Sequence, residues 1–105
     1  MRLNPSSAVI EHAALGDNTI VAAPAAPARI RVLGYTLVAA GAVTARWKSG
    51  AATNKSGPMS LGANGGVSVS VGQGSLFSCA AGQALVLNLG AAVAVAGHVS
   101  YVVES

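Results

Sequence analysis

Charge is what this chain has least of. Only 9% of its 105 residues are charged, against about 25% in an ordinary soluble domain. The acids are Glu11, Asp17 and Glu104, and six bases bring the net charge to +3. With acids so few and so far apart in sequence, a paired-carboxylate site exists only if folding brings two together. The bases form no Lys/Arg block, which argues against a dedicated nucleic-acid binder. A single cysteine, Cys79, excludes an internal disulfide and fits folding in a reducing cytosol. His12 and His98, the two imidazoles, stand at no spacing that builds a metal site with it. No apolar run approaches the roughly 18 residues of a membrane-span candidate, and the longest, 84–97, contains Asn88. Glu11 and His12 interrupt the apolar stretch nearest the N-terminus, so export by a standard signal peptide is not expected.

Small residues fill the space that charge leaves: 22 alanines and 13 glycines. A free monomer of this size normally carries more charge to stay soluble, and charge is depleted in the buried centres of interfaces. The composition therefore points to a surface covered by neighbours. The length fits one domain with one modest core, foldable without metal or disulfide.

No long segment carries the 3.6-residue apolar period. Short Val/Leu/Ile runs instead alternate with Gly, Asn and Ser clusters about every ten residues, which predicts an all-β sandwich or barrel. The expected fold is a single-domain antiparallel β-sandwich, jelly-roll-like, of about eight strands, with a small β-barrel as the alternative. Residues 1–7 read as an extended arm and 8–105 as the sandwich. Strands are expected over 8–14 and 19–23, with a turn at Gly16-Asp17-Asn18 between them, and Pro24-Ala25-Ala26-Pro27 is expected to be stiff and extended. Residues 29–48 read as a hairpin turning at Ala40-Gly41, which sets Gly34 opposite Trp47 and Tyr35 opposite Arg46. A polar loop over 49–57 leads to a short edge-like strand over 58–61. Asn64-Gly65-Gly66 is a strong turn, and Val67, Val69 and Val71 alternate with Ser68 and Ser70 as a half-buried strand. After a turn at Gly72-Gln73-Gly74, strands are expected over 76–79, 83–89 and 94–103. Leu85, Leu87 and Leu89 share one face, as do Val99, Tyr101 and Val103, with His98 and Ser100 opposite.

Little in this pattern carries chemistry. Asp17 in a turn would bond nearby backbone. Cys79 beside Phe77 reads as a buried core residue rather than a nucleophile. The glycines at 62–66 and 72–74 precede no helix and match no phosphate loop. No cofactor, catalytic residue or metal ligand is expected, nor a membrane or specific nucleic-acid partner. The one charge cluster is Arg29, Arg31, Arg46 and Lys48, which the hairpin would gather toward one end of one face as a contact for an acidic surface. Asn4 and Pro5 in the arm are the other candidate partner-binding residues. Alternation turns Trp47 inward, against a carbohydrate-stacking role.

The run Arg-Ile-Arg-Val-Leu-Gly-Tyr-Thr-Leu-Val-Ala-Ala-Gly-Ala-Val-Thr-Ala-Arg-Trp-Lys-Ser-Gly from Arg29 is followed by Ser56-Gly57-Pro58-Met59, Ala63-Asn64-Gly65-Gly66, Ala80-Ala81-Gly82-Gln83-Ala84-Leu85 and Gly97-His98-Val99-Ser100-Tyr101. Over residues 29–103 this order resembles small structural proteins of tailed bacteriophages, of the head decoration (cement) type. The matching motifs are turns and core positions, and the chain departs from the pattern at Gly74-Ser75-Leu76-Phe77, where related sequences are aromatic-rich. The resemblance implies a non-enzymatic virion protein on the outer capsid surface, made in the host cytoplasm. Its partners would be the major capsid protein and itself, commonly as a homotrimer, and it would stabilise the shell. The alternative is a receptor- or carbohydrate-binding module of a phage tail fibre or spike, which should expose several aromatics. A small hydrolase lacks a constellation.

Overall fold

The computed structural model describes residues 5–70 and 76–104. Ten strands form among them: β1 Ser6–His12, β2 Gly16–Val21, β3 Arg29–Ala39, β4 Val43–Ser49, β5 Thr53–Asn54, β6 Met59–Leu61, β7 Gly66–Ser70, β8 Phe77–Ser78, β9 Leu85–Leu89 and β10 Val95–Glu104. They make two five-stranded antiparallel sheets. Sheet A runs β1-β10-β3-β7, with β8 also on β3; sheet B runs β2-β9-β4-β5, with β6 also on β4. The architecture is a jelly-roll-like β-sandwich, and no closed barrel forms among the described residues.

Period-2 alternation builds the core between the sheets. Leu37 and Ala39 of β3, Ala45 and Trp47 of β4, and Leu85, Leu87 and Leu89 of β9 are all fully buried. Half-buried Val67 and Val69 alternate with exposed Ser68 and Ser70 along β7. In β3 the inward set changes parity, from Ile30 and Val32 to Leu37 and Ala39. A register shift does this: Ser100 pairs with Gly34 but Tyr101 pairs with Val32, leaving Leu33 as the extra residue. Such a bulge moves side chains to the opposite face. In β10, Val99 is buried and Tyr101 packs on the core. Val103, opposite Ile30, shares their face but is 43% exposed, while Val102 is buried. Val102 stands opposite Arg31, on the face spanned by the Arg31–Glu104 ion pair.

The expected hairpin over 29–48 does not form. β3 pairs with β10, β7 and β8, whereas β4 pairs with β9, β5 and β6. Residues 40–42 therefore arch from one sheet to the other. Tight two-residue hairpins need positive φ, and Gly41 is not among the positive-φ glycines. Gly34 lies beside Ser70 and Ser100, and Trp47 pairs with Leu87, so the Gly34–Trp47 and Tyr35–Arg46 pairings are both corrected. Tyr35 instead meets Trp47 edge-on across the core, with ring centroids 5.2 Å apart.

Three local readings also shift. The first turn falls before Gly16, whose φ is +97°, so Asp17 and Asn18 lie within β2. The Asn18 Nδ2 donates to the carbonyls of Ala14 (2.9 Å) and Gly16 (3.1 Å), holding that turn. The Pro24–Pro27 stretch turns rather than extends: Ala28 N–H donates to the Ala25 carbonyl at 3.0 Å. Residues preceding proline suit turns as well as extended chain. The first strand begins at Ser6, so Ser6 and Ser7 belong to the sheet rather than to an arm. The expected turn at 72–74 and Val71 lie outside the described residues.

Candidate interaction surfaces

The topology divides the predicted basic cluster. Arg29 and Arg31 sit on β3 of sheet A, and Arg46 and Lys48 on β4 of sheet B. Because Ile30 and Val32, and Ala45 and Trp47, point inward, the cations project from opposite outer faces. Two of them are engaged. Arg31 Nη2 lies 3.7 Å from Glu104 Oε2, and Lys48 Nζ donates to Asp17 Oδ1 at 3.2 Å. Asn88 Nδ2 donates to the same Asp17 oxygen at 2.7 Å. That bond, with a smaller contribution from the Lys48 ammonium, holds the Asp17 carboxyl below its ordinary pKa against the opposing effect of burial. Exposed pairs of this kind are worth about 0.2–1 kcal/mol each. Arg29 and Arg46 make no ion pair among the described residues. Asn4 lies outside the described residues, and Pro5 is exposed.

The outer face of sheet A is a grid of small side chains. The register aligns Glu11–Ala96–Val38–Gly66, then Val9–His98–Thr36–Ser68, then Ser7–Ser100–Gly34–Ser70. A shallow depression of about 320 Å³ lies over Gly34, lined by Thr36, Ser68, Ser70, His98 and Ser100. Thr36 and Ser68 share a hydroxyl–hydroxyl bond of 2.9 Å. His98 bonds none of these hydroxyls among the described residues, and no carboxylate lines the depression. It therefore lacks the base–nucleophile hydrogen bond that acyl transfer uses.

At one end of the sandwich the described loops carry no charged side chain. Loops 13–15, 40–42, 62–65 and 90–94 lie there: His12 and Gly16, which flank the first, pair with Val95 and Leu89, while Asn64 N–H donates to the Ala39 carbonyl, Ala40 N–H to Ala94, and Gly90 N–H to Thr44. Their side chains are Ala, Gly, Val93 and Leu15, with Asn64 the only polar one. Leu15 is 66% exposed. In sequence 40–41 and 64–66 read only as turns; a topology that sends all four loops to one end makes the surface, and no sequence period announces that.

The aromatic residues face the other way. Trp47 belongs to the core, and Tyr35, Phe77 and Tyr101 pack against it, so they present no exposed stacking platform. Tyr35 also donates its hydroxyl to Met59 Sδ at 3.4 Å. Cys79 is buried in the same core, as its neighbours implied. Burial pushes both the Tyr35 hydroxyl and the Cys79 thiol above their ordinary pKa values, with Ser49 and Lys55 partly offsetting this at Cys79. The pH dependence follows. Both groups are neutral when folded, and in the unfolded chain they ionise near about 8.5 and 10. Their contribution to stability is complete below about pH 8.5 and is lost as pH rises through the folded values. Urea midpoints measured from pH 7 to 10.5 should fall, and Cys79 should resist thiol reagents until the chain unfolds. A flat profile, or rapid labelling of folded protein, would contradict this.

His12 is half-buried at the end of β1 and His98 exposed on β10. Glu11, Asp17 and Glu104 lie on separate strands and no two form a pair; no group of three metal-ligating side chains occurs among the described residues. No protein-family model matches the chain, and no curated protein matches it.

Proposed function

We infer that the chain is a non-enzymatic structural subunit that docks on a larger shell, in the manner of a capsid decoration protein binding a major capsid protein from outside. The observation that carries this reading is the end of the sandwich whose described loops carry no charge. A soluble monomer gains nothing from presenting Leu15 and a ring of Ala and Gly to water, whereas apolar surface stripped of charge is what interface centres contain. The resemblance of residues 29–103 to head decoration proteins supplies the kind of shell. The inward aromatics weigh against the fibre or spike module, which would need them outside.

The cations play a smaller part here than as one patch. Arg31 and Lys48 are already engaged with Glu104 and Asp17, leaving Arg29 and Arg46 for an acidic partner, on separate faces. Residues preceding β1, Asn4 and Pro5 among them, supply a further contact to the partner.

Capsids lacking the protein should bind it when added and then withstand heat better. Leu15→Glu should weaken that binding at least tenfold without changing the fold. Arg46→Glu should weaken it less, and mainly at low salt, because screening removes exposed charge effects. Deleting residues 1–4, which leaves β1 whole, should reduce binding with an unchanged melting temperature. Failure of the full-length protein to bind such capsids, or binding to cell-surface glycans in their place, overturns the reading.

A further inference from the structure

Sheet edges expose unpaired backbone groups, and proteins usually guard them with short strands, bulges, prolines or lysines. Three of the four edges here are guarded. In sheet B, β5 and β6 are two and three residues long, with Lys55 and Pro58 between them. At the other side of that sheet, β2 is broken by a register shift between Thr19 and Val21. In sheet A, β7 shares its side of β3 with the two-residue β8, and among the described residues neither runs longer than five. β1 has none of these devices. It runs seven residues, Ser-Ser-Ala-Val-Ile-Glu-His, in unbroken register with β10. It contains no Pro, Gly, Lys or Arg, and among the described residues no strand pairs with its other side.

We propose that this open edge is an interface for a second copy of the chain, the two β1 strands pairing antiparallel about a two-fold axis at Val9. The strand's own pattern selects that occupant. Val9 is the middle residue of β1 and, at 75%, the most exposed large apolar side chain among the described residues. A two-fold axis there overlaps all seven residues and sets Val9 against its symmetry mate. Ser7 then faces Glu11 of the other copy, Ala8 faces Ile10, and Ser6 faces His12. The single charge of the strand meets a hydroxyl rather than itself, so the pairing carries no like-charge contact of the kind that destabilises cross-strand neighbours. Isologous contacts of this sort are self-complementary and close after two copies. Sheet A becomes one continuous sheet across the pair.

Sedimentation and native mass measurement of the full chain should report a dimer at micromolar concentration. Val9→Lys, which sets two ammonium groups against each other on an exposed position, should raise the dimer dissociation constant at least tenfold with an unchanged circular dichroism spectrum. Oxidised Val9→Cys should cross-link two chains. Ser7→Cys should not, because the axis separates the two copies of residue 7 by about 13 Å, four residues of strand rise. A monomeric wild type, as expected if β1 instead takes a partner's extended segment, overturns the proposal. So does a trimer in which Val9→Cys stays uncross-linked, or equal cross-linking of both cysteine variants. Capsid binding is scored separately, so the dimer and the decoration reading can fail independently.

Discussion

Trp47→Ala should cost about 3–5 kcal/mol, the range for removing a large aromatic from a packed core. For a domain of ordinary stability, about 5–15 kcal/mol, that is a large share of the whole. Trp47 has no exposed surface and joins the two sheets. It lies on β4 of sheet B, while Tyr35 and Phe77, with ring centroids 5.2 and 6.2 Å away, come from β3 and β8 of sheet A. Among the described residues its buried indole nitrogen makes no well-formed hydrogen bond, although it is near enough to the Tyr35 hydroxyl to act on it, and leaving a buried polar group unpaired costs about 1–3 kcal/mol. Trp47→Phe should therefore lose much less than Trp47→Ala, since it keeps a ring in the core and sheds the poorly paired N–H. Urea denaturation followed by circular dichroism distinguishes the three proteins. The emission of this single tryptophan should be blue-shifted and resist aqueous quenchers. Free quenching in the folded state, or a loss under 1 kcal/mol on truncation to alanine, would refute the assignment.

The second large effect is expected at Gly97, near the start of β10, the strand between β1 and β3. Its φ is +152°, and a Cβ there would run into the Thr36 carbonyl oxygen, with Thr36 C at 2.8 Å and Leu37 Cα at 3.3 Å. These are backbone atoms of a strand held on both sides, by β10 and β7, so they cannot move aside as a flexible side chain would. Gly97→Ala should cost on the order of 3 kcal/mol, combining backbone strain with overpacking. Gly57 is the control. Nothing lies within 4 Å of its virtual Cβ and its φ is not positive, so Gly57→Ala should be neutral or stabilise by a few tenths up to about 1 kcal/mol. Equal melting temperatures for the two variants would show that the close approach at Gly97 is not real.

Strand identity was legible wherever one face is buried and the other wet. Val67 and Val69 against Ser68 and Ser70, or the three leucines of β9, announce their faces by alternation alone. Pairing was not legible, because alternation says which side of a strand is apolar and not which strand lies beside it. Ala40-Gly41 looked like a hairpin turn, yet the chain crosses the core there. That one difference undid the Gly34–Trp47 and Tyr35–Arg46 partners and the four-residue basic cluster together. It left the inward position of Trp47 intact, because burial depends on parity rather than on partners. The bulge at Leu33 is similarly silent, since nothing in Val-Leu-Gly-Tyr marks an extra residue. The two-residue β5 carries too few positions for a period and falls inside the polar loop expected over 49–57, whereas the equally short β8 lies within the strand expected over 76–79.

The order β1-β10-β3-β7 has a kinetic consequence. The strand that completes the middle of sheet A is the tenth along the chain, and it pairs with the first. β1 cannot be satisfied until a loop of about eighty residues closes, nor the β10 side of β3 until one of about fifty-five does, and loop closure must come before its contacts repay it. Topologies dominated by such distant pairings fold in about milliseconds to seconds rather than microseconds. Until β10 arrives, β1 and β3 each hold a bare backbone row, and the collapsed chain is sticky along both. Slow refolding, with aggregation rising steeply with concentration, is the behaviour this strand order imposes.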